Sequence, residues 1–220
     1  MTSEKKTAIV LAGSGVFDGS EIHEATMTMY AVMKLGGSYQ LFAPDKNQHH
    51  VVNHITGAEM PETRNVLVES ARIARGNIKI LDELDMTNFD ALMFPGGFGV
   101  AKNLCDLAFK GPKCTVDKGV ERVVKQAVEL SKPIGALCIS PAMIARILPG
   151  AKVTVGQDEA TITAIEKMGS THRSTNHGVV CVDANFKIAS TPCYMLDANI
   201  LHIADGALNV TRAVFEMIGK

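Results

Sequence analysis

Apolar positions along the chain follow two rhythms: short unbroken runs, and stripes that return every third or fourth residue. Thr7-Ala8-Ile9-Val10-Leu11-Ala12-Gly13 is unbroken rather than alternating, as a strand buried on both faces of a parallel sheet requires. A loop follows from Gly13 to Ser20. A helix is then predicted from Glu21 to about Leu35, with Ser20 as its cap, because Ile22, Ala25, Met29 and Met33 form one stripe. Gly36-Gly37 closes it, and Ser38 to Pro44 reads as a second strand. A strand, a helix and a strand in that order predict an α/β fold with a parallel sheet.

The pattern continues less evenly. His49 to Ile55 reads as a short edge strand, and Glu62 to Ala74 has helical spacing. Ala91-Leu92-Met93-Phe94 is a second fully apolar run and ends in Pro95-Gly96-Gly97-Phe98-Gly99. Helices are predicted from Val100 to Phe109 and from Asp117 to Leu130, the latter with Val120, Val123, Val124, Ala127 and Val128 on one side. Pro133 leads into Ile134-Gly135-Ala136-Leu137. Lys152 to Gly156 reads as a strand and Asp158 to Met168 as a short helix. Gly178 to Asp183 and Phe186 to Ser190 flank Ala184-Asn185 as a hairpin, and a long helix runs from about Leu196 to Met217. No repeat, low-complexity stretch or linker interrupts the pattern, so residues 1–220 are read as one domain.

Composition narrows the class of function. Hydrophobic residues make up 46% and charged residues 20%, and the net charge is −1; such a balance gives no electrostatic reason to expect nucleic acid or an anionic membrane as partner. No apolar run approaches the roughly 20 residues that span a bilayer. The polar start, Met1 to Lys6, runs into the first strand without a leader-like pattern. Five cysteines, an odd number without a C-x-x-C pair, are neither a disulfide framework nor a zinc site and suit a reducing compartment. Together these predict a cytoplasmic protein. His49, His50 and His54 lie near one another in sequence but without acidic or cysteine ligands at metal spacing, and read as a solvated loop. Gly13-Ser14-Gly15 begins like a dinucleotide motif, but Gly19 comes one residue late for G-x-G-x-x-G.

The strongest chemical signal is Leu137-Cys138-Ile139-Ser140-Pro141. An apolar strand stops at a cysteine, and a helix starts at once, with Ser140 able to cap it and Pro141 suited to its first turn. A side chain at such a turn projects from the carboxyl edge of a sheet beside the positive end of a helix dipole, which favours a thiolate. The arrangement resembles the nucleophile elbow of serine hydrolases. On this reading Cys138 has a pKa below the free-thiol value of about 8.5. The plain alternative is a small buried hydrophobe, as most free cysteines are. Cys105, Cys114, Cys181 and Cys193 read as structural, with Cys193 nearest the site.

Three stretches in order carry a family resemblance: Gly19-Ser20-Glu21 after the first strand, Phe94-Pro95-Gly96-Gly97 with Gly99 and Asn103-Leu104, and Ala136-Leu137-Cys138 before Pro141. Together they resemble the PfpI-type branch of the class I glutamine-amidotransferase-like superfamily. Gly13 to Glu24 and Ser190-Thr191-Pro192-Cys193-Tyr194-Met195-Leu196 are similar to the ElbB-like glyoxalases, labelled as isoprenoid-biosynthesis or sigma-cross-reacting proteins. The resemblance implies a flavodoxin-like three-layer sandwich around a mostly parallel sheet, and a homodimer. It implies Glu21 protonated and hydrogen-bonded to the Cys138 sulfur, with the backbone N–H groups of Gly97 and Ile139 as an oxyanion hole. His172 stands roughly where the family places a histidine near the cysteine. No cofactor or metal is implied.

Two departures from the family pattern stand out: position 139 is Ile, and position 140 is Ser rather than the glycine usual two residues after the nucleophile. Ile139 replaces the histidine that follows the cysteine in peptidase-like relatives, which argues against protease activity. Nothing after His202 supplies the His-x-Glu of a glutaminase triad. The reading that results is a cofactor-independent glyoxalase of the lyase class, converting glyoxal or methylglyoxal to a hydroxyacid. Cys138 would form a hemithioacetal, and Glu21 or His172 would move protons through an enediol. A cysteine-based redox sensor with little turnover, and an amidase or deglycase using the same nucleophile, are the competing readings.

Overall fold

The computed structural model describes residues 4–220. In chain order its strands and helices are β1 (Lys5–Val10), α1 (Ile22–Lys34), β2 (Gly37–Ala43), α2 (Val66–Ile73), β3 (Ile78–Ile80), β4 (Ala91–Phe94), α3 (Leu107–Lys110), α4 (Lys118–Glu129), β5 (Ile134–Leu137), α5 (Ser140–Ile147), β6 (Lys152–Val153), α6 (Glu159–Lys167), β7 (Thr171–His172), β8 (Cys181–Asp183), β9 (Ile188–Thr191) and α7 (Ile200–Met217). Seven strands form one sheet in the order β3-β2-β1-β4-β5-β9-β8. All neighbours run parallel except β8, which returns antiparallel to β9 as the Ala184-Asn185 turn predicts. β6 and β7 make a separate two-stranded ribbon.

The unbroken apolar run of β1 has a direct structural reason. Ile9 and Leu11 pack on one face of the sheet with Ala25 and Val32 of α1 and Ile203, Val210 and Val214 of α7. Ala8 and Val10 pack on the other with Val120, Val123 and Val124 of α4 and Met143 and Ile144 of α5. A strand covered by helices on both sides needs apolar residues at every position. The result is a single α/β domain of the flavodoxin-like kind, with strand order reversing beside β1, where such folds open a crevice at the carboxyl ends of the strands.

Several predicted elements are changed by their surroundings. The helix expected from Val100 to Phe109 is split into a wide helical turn over Val100–Leu104 and α3. Cys105 between them is extended and bridges Val116. No regular strand forms over 49–55; Val52 makes only an isolated bridge to Glu59. The long last helix begins at Ile200, capped by Asn199, after a tight turn at Cys193–Met195. Ser20 does not cap α1: its hydroxyl accepts the Ala12 N–H at 2.8 Å, and the cap is the Glu21 carboxylate, which accepts the Glu24 N–H at 2.7 Å. Ser140 likewise starts α5 without capping it, donating instead to the Pro95 carbonyl at 2.8 Å. Among the described residues no helix is long and apolar enough to cross a membrane.

Candidate functional site

Cys138 occupies the one residue of turn between β5 and Ile139 at the head of α5, and its φ is +60°. A β-carbon in this left-handed region is strained, by about 1–2 kcal/mol. Such strain persists where the surrounding structure over-determines the conformation, commonly at functional sites. Here the Cys138 N–H donates to the Thr191 carbonyl at 3.0 Å, extending the β5–β9 pairing up to the bend. The residue is 7% exposed. The backbone N–H groups of Gly97 and Ile139 both point at its sulfur.

The two amides are delivered by different elements. Ile139 N–H belongs to the first turn of α5, with Pro141 behind it. Gly97 belongs to the turn after β4 and has φ +100°, where a β-carbon would strike the Glu21 nitrogen and the Gly19 carbonyl. Crowding at Gly97 therefore falls on the loop after β1. Gly96 carries the closer constraint. A β-carbon there would collide with Cys138 and lie 2.6 Å from Glu24 Oε2.

The carboxyl group at the sulfur is that of Glu24, which corrects the expectation for Glu21. Glu24 is fully buried on α1 beside Cys138, close enough for each to shift the other's pKa; its Oε2 accepts the Gly96 N–H at 2.8 Å and its Oε1 accepts the Tyr194 N–H at 3.3 Å. Glu21 is one helical turn earlier, spent on capping α1 and 3.8 Å from His23 Nδ1. Burial above all, and the neighbouring Glu21 charge, raise the Glu24 carboxyl from 4.5 to about 8. Burial and the adjacent Glu24 also push the Cys138 thiol well above its usual range, against the two amides that favour the thiolate. The depressed thiol expected from the helix dipole is thus overturned: loss of water around the sulfur outweighs the dipole. At neutral pH Cys138 and Glu24 therefore stand side by side as a thiol and a carboxylic acid.

His172 lies in β7 at the ribbon, where its Nε2 accepts the Val155 N–H at 3.2 Å; burial lowers its pKa. It does not line the cavity at Cys138, so the expected role beside the sulfur has no support in the geometry. Tyr194 does line it, and its hydroxyl lies 2.8 Å from His23 Nδ1. Burial first, then Glu21 and Glu24, raise the Tyr194 phenol, so it stays a donor. Cys193 is buried close enough to Cys138 and Glu24 for their charges to raise its thiol, after burial.

The sulfur faces a cavity of about 380 Å³, with Val16, Phe98, Ile139 and Met195 as apolar walls and Tyr194 and Asp158 as polar groups. Among the described residues no cluster of three His, Cys, Asp or Glu side chains could hold a metal ion. A strained cysteine, an adjacent carboxyl, two convergent amides and a mostly apolar cavity are the parts of a covalent catalyst that works on a carbonyl group.

No family model matches the chain. It is 43% identical over 225 residues to the human "glutamine amidotransferase-like class 1 domain-containing protein 3, mitochondrial", covering 98% of this chain and 84% of that one. It is 41% identical over 225 residues to the rat "ES1 protein homolog, mitochondrial", with 98% and 85% covered. The chain belongs to the ES1, or glutamine amidotransferase-like class 1, family. A crystal structure of an isoprenoid biosynthesis protein with an amidotransferase-like domain from Ehrlichia chaffeensis superimposes with a TM-score of 0.89 at 34% identity, covering 96% of this chain and 99% of that one. Glyoxalase III from Candida albicans shares the fold alone, with a TM-score of 0.64 at 16% identity over 97% of each chain.

The ES1 relatives correct the cytoplasmic expectation, because the human, rat and zebrafish proteins are all named mitochondrial. Unpaired cysteines suit a reducing compartment but do not distinguish one such compartment from another. Within this ES1 family chain, sequence reasoning missed Glu24, Gly96 and Tyr194. Helical spacing held a signal for the first: a cap at Glu21 places Glu24 at the third helical position, a turn further along and on the inner side with Ala25 and Thr28.

Proposed function

We propose that this protein is a cofactor-independent glyoxalase, adding water across a 2-oxoaldehyde to yield a 2-hydroxyacid. The observation that carries the reading is Glu24 buried against Cys138 at a strained elbow, with the Gly97 and Ile139 amides converging on the same sulfur. A thiol with a raised pKa is a poor standing nucleophile, but a carboxylate raised to about 8 is a matched base for it. Loss of one proton from the pair supplies the active form. Glu24 takes the thiol proton as sulfur bonds to the aldehyde carbon, and the former carbonyl oxygen receives the amide N–H groups.

The remaining steps balance with water alone. Glu24 returns its proton to the oxygen, completing the hemithioacetal, and then removes the hydrogen on that carbon. The resulting enediolate takes that proton back from Glu24 at the neighbouring carbon while the hemithioacetal hydroxyl proton passes to the second oxygen, giving a thioester on Cys138. Water cleaves the thioester, releasing the hydroxyacid and restoring the thiol. Tyr194 donates from the cavity wall to the second carbonyl oxygen, its own hydroxyl oriented by His23. A redox sensor is less favoured, since oxidation selects exposed thiolates and Cys138 is a buried thiol. The homodimer implied by the family resemblance is carried forward as a proposal for light scattering.

Methylglyoxal turnover, read as hydroxyacid formed, tests the reading. Cys138→Ser is expected to fall to the uncatalysed rate. Undetectable turnover by the unaltered protein overturns the glyoxalase assignment.

A further inference from the structure

The cavity at Cys138 is several times larger than a methylglyoxal molecule needs. At 380 Å³ it falls within the range of pockets that bury drug-sized ligands, about 300–1,000 Å³. Methylglyoxal fills roughly the space of three waters at about 30 Å³ each. The excess is not polar volume waiting for solvent. A second hollow of about 240 Å³ adjoins the first, sharing Phe98, Ile139 and Thr161 as common walls. Its remaining lining is Ala101, Leu107, Ala108, Gly111, Ala160 and Ala164, with no charged side chain.

Charge points the same way. Among the described residues the only ionisable groups lining either hollow are Cys138, Tyr194 and Asp158. Asp158 is committed to capping α6, where its carboxylate accepts the Thr161 N–H at 2.8 Å. The Lys102 ammonium lies 5.5 Å from the Phe98 ring centroid, but Lys102 lines neither hollow and donates to the Phe17 carbonyl at 2.8 Å. A carboxylate or phosphate on the substrate would therefore meet an acid and no cation, and lose its hydration without a partner. An apolar arm would exchange water for alanine, leucine and phenylalanine surface.

We propose that the site selects uncharged 2-oxoaldehydes that carry an apolar arm longer than methyl, the reacting carbon at Cys138 and the arm passing between Phe98 and Ile139 into the alanine-lined hollow. This rests on the oxoaldehyde reading above. Ile139 thereby does two things: its N–H faces the sulfur and its side chain forms the shared wall, where a histidine would be wet and polar. Small side chains at Ala101, Ala108, Ala160 and Ala164 leave the space in which the arm lies.

The test is a homologous series, methylglyoxal, 2-oxopentanal and 2-oxooctanal, together with an oxoaldehyde ending in a carboxylate. Alkyl homologues share one carbonyl reactivity, so kcat/KM reads the arm alone. It is expected to rise about fourfold per added methylene over the first few, and to fall at least tenfold when the arm ends in a carboxylate. Ala160→Trp, at an exposed position of α6, is expected to cut the advantage of 2-oxooctanal over methylglyoxal at least tenfold. A flat series, or a preference for the carboxylate, overturns the proposal. Cys138 alkylation gives a readout independent of turnover: N-hexyl-iodoacetamide should outpace iodoacetamide, and iodoacetamide outpace iodoacetate, each rate taken relative to glutathione. If no oxoaldehyde is turned over and this order holds, the glyoxalase reading falls while apolar selectivity at Cys138 stands. If the alkylation rates are equal, the selectivity itself is wrong.

Discussion

At the scale of single residues, the site turns on two carboxylates three positions apart. Glu21 and Glu24 are chemically identical and both lie at the start of α1, yet one caps the helix and the other meets the sulfur. Glu24→Gln is expected to lower oxoaldehyde turnover by about 10²–10⁴, since an amide can neither take the thiol proton nor move one between carbons. In the unaltered protein, kcat/KM should climb with pH through about 8, as Glu24 ionises. Glu21→Gln keeps an oxygen for the Glu24 N–H but removes the charge that helps raise Glu24. It should retain turnover within roughly tenfold, with its pH midpoint shifted downward. A large loss in Glu21→Gln with turnover kept in Glu24→Gln would return the base to Glu21 and remove Glu24 from that role.

At the scale of elements, the site is a meeting of three strand ends with the turns that follow them. β1 leads to the Gly13–Ser20 loop, β4 to Gly96-Gly97, and β5 to Cys138, and each touches the next. Glu21 N–H donates to the Gly96 carbonyl at 2.9 Å, Gly99 N–H to the Gly19 carbonyl at 2.9 Å, and Ser140 to the Pro95 carbonyl. Gly96→Ala forces a methyl group against Cys138 and Glu24, so turnover should be lost even where the chain still folds. Gly97→Ala meets backbone rather than side chains and also requires φ +100°. Its stability should drop by about 2 kcal/mol or more in urea unfolding. Ser140→Ala should cost roughly 1–3 kcal/mol, the penalty for leaving the buried Pro95 carbonyl without its donor. A Gly97→Ala protein as stable as the parent would show that the loop after β1 yields more readily than its packing implies.

Across the whole molecule, a buried acid sets the dependence of stability on pH. The folded chain holds the Glu24 proton up to about pH 8, while the unfolded chain releases it near 4.5. Stability from this group is full below about 4.5 and declines as pH rises to about 8, by roughly 5 kcal/mol. Glu24→Gln should flatten that decline and unfold at higher urea than the parent at pH 8.5; an unchanged slope would mean that Glu24 ionises normally. Much of the architecture was legible without coordinates. Runs such as Ala8-Ile9-Val10 and Ala91-Leu92-Met93-Phe94, apolar at every position and of strand length, read as strands covered on both faces, and a run ending at Cys138 before Ser140-Pro141 reads as a sharp turn into a helix. These are local consequences of backbone geometry and side-chain period, so the β1–α1–β2 unit, the β8–β9 hairpin and the elbow follow from the residues themselves. Which carboxylate reaches the sulfur, where His172 lies, and whether Cys138 is a thiol or a thiolate depend on contacts between α1, β4, β5 and the turn at Tyr194, far apart along the chain. The helix dipole is written into the neighbouring sequence, but the desolvation that overrides it exists only once those segments close over the sulfur and exclude water.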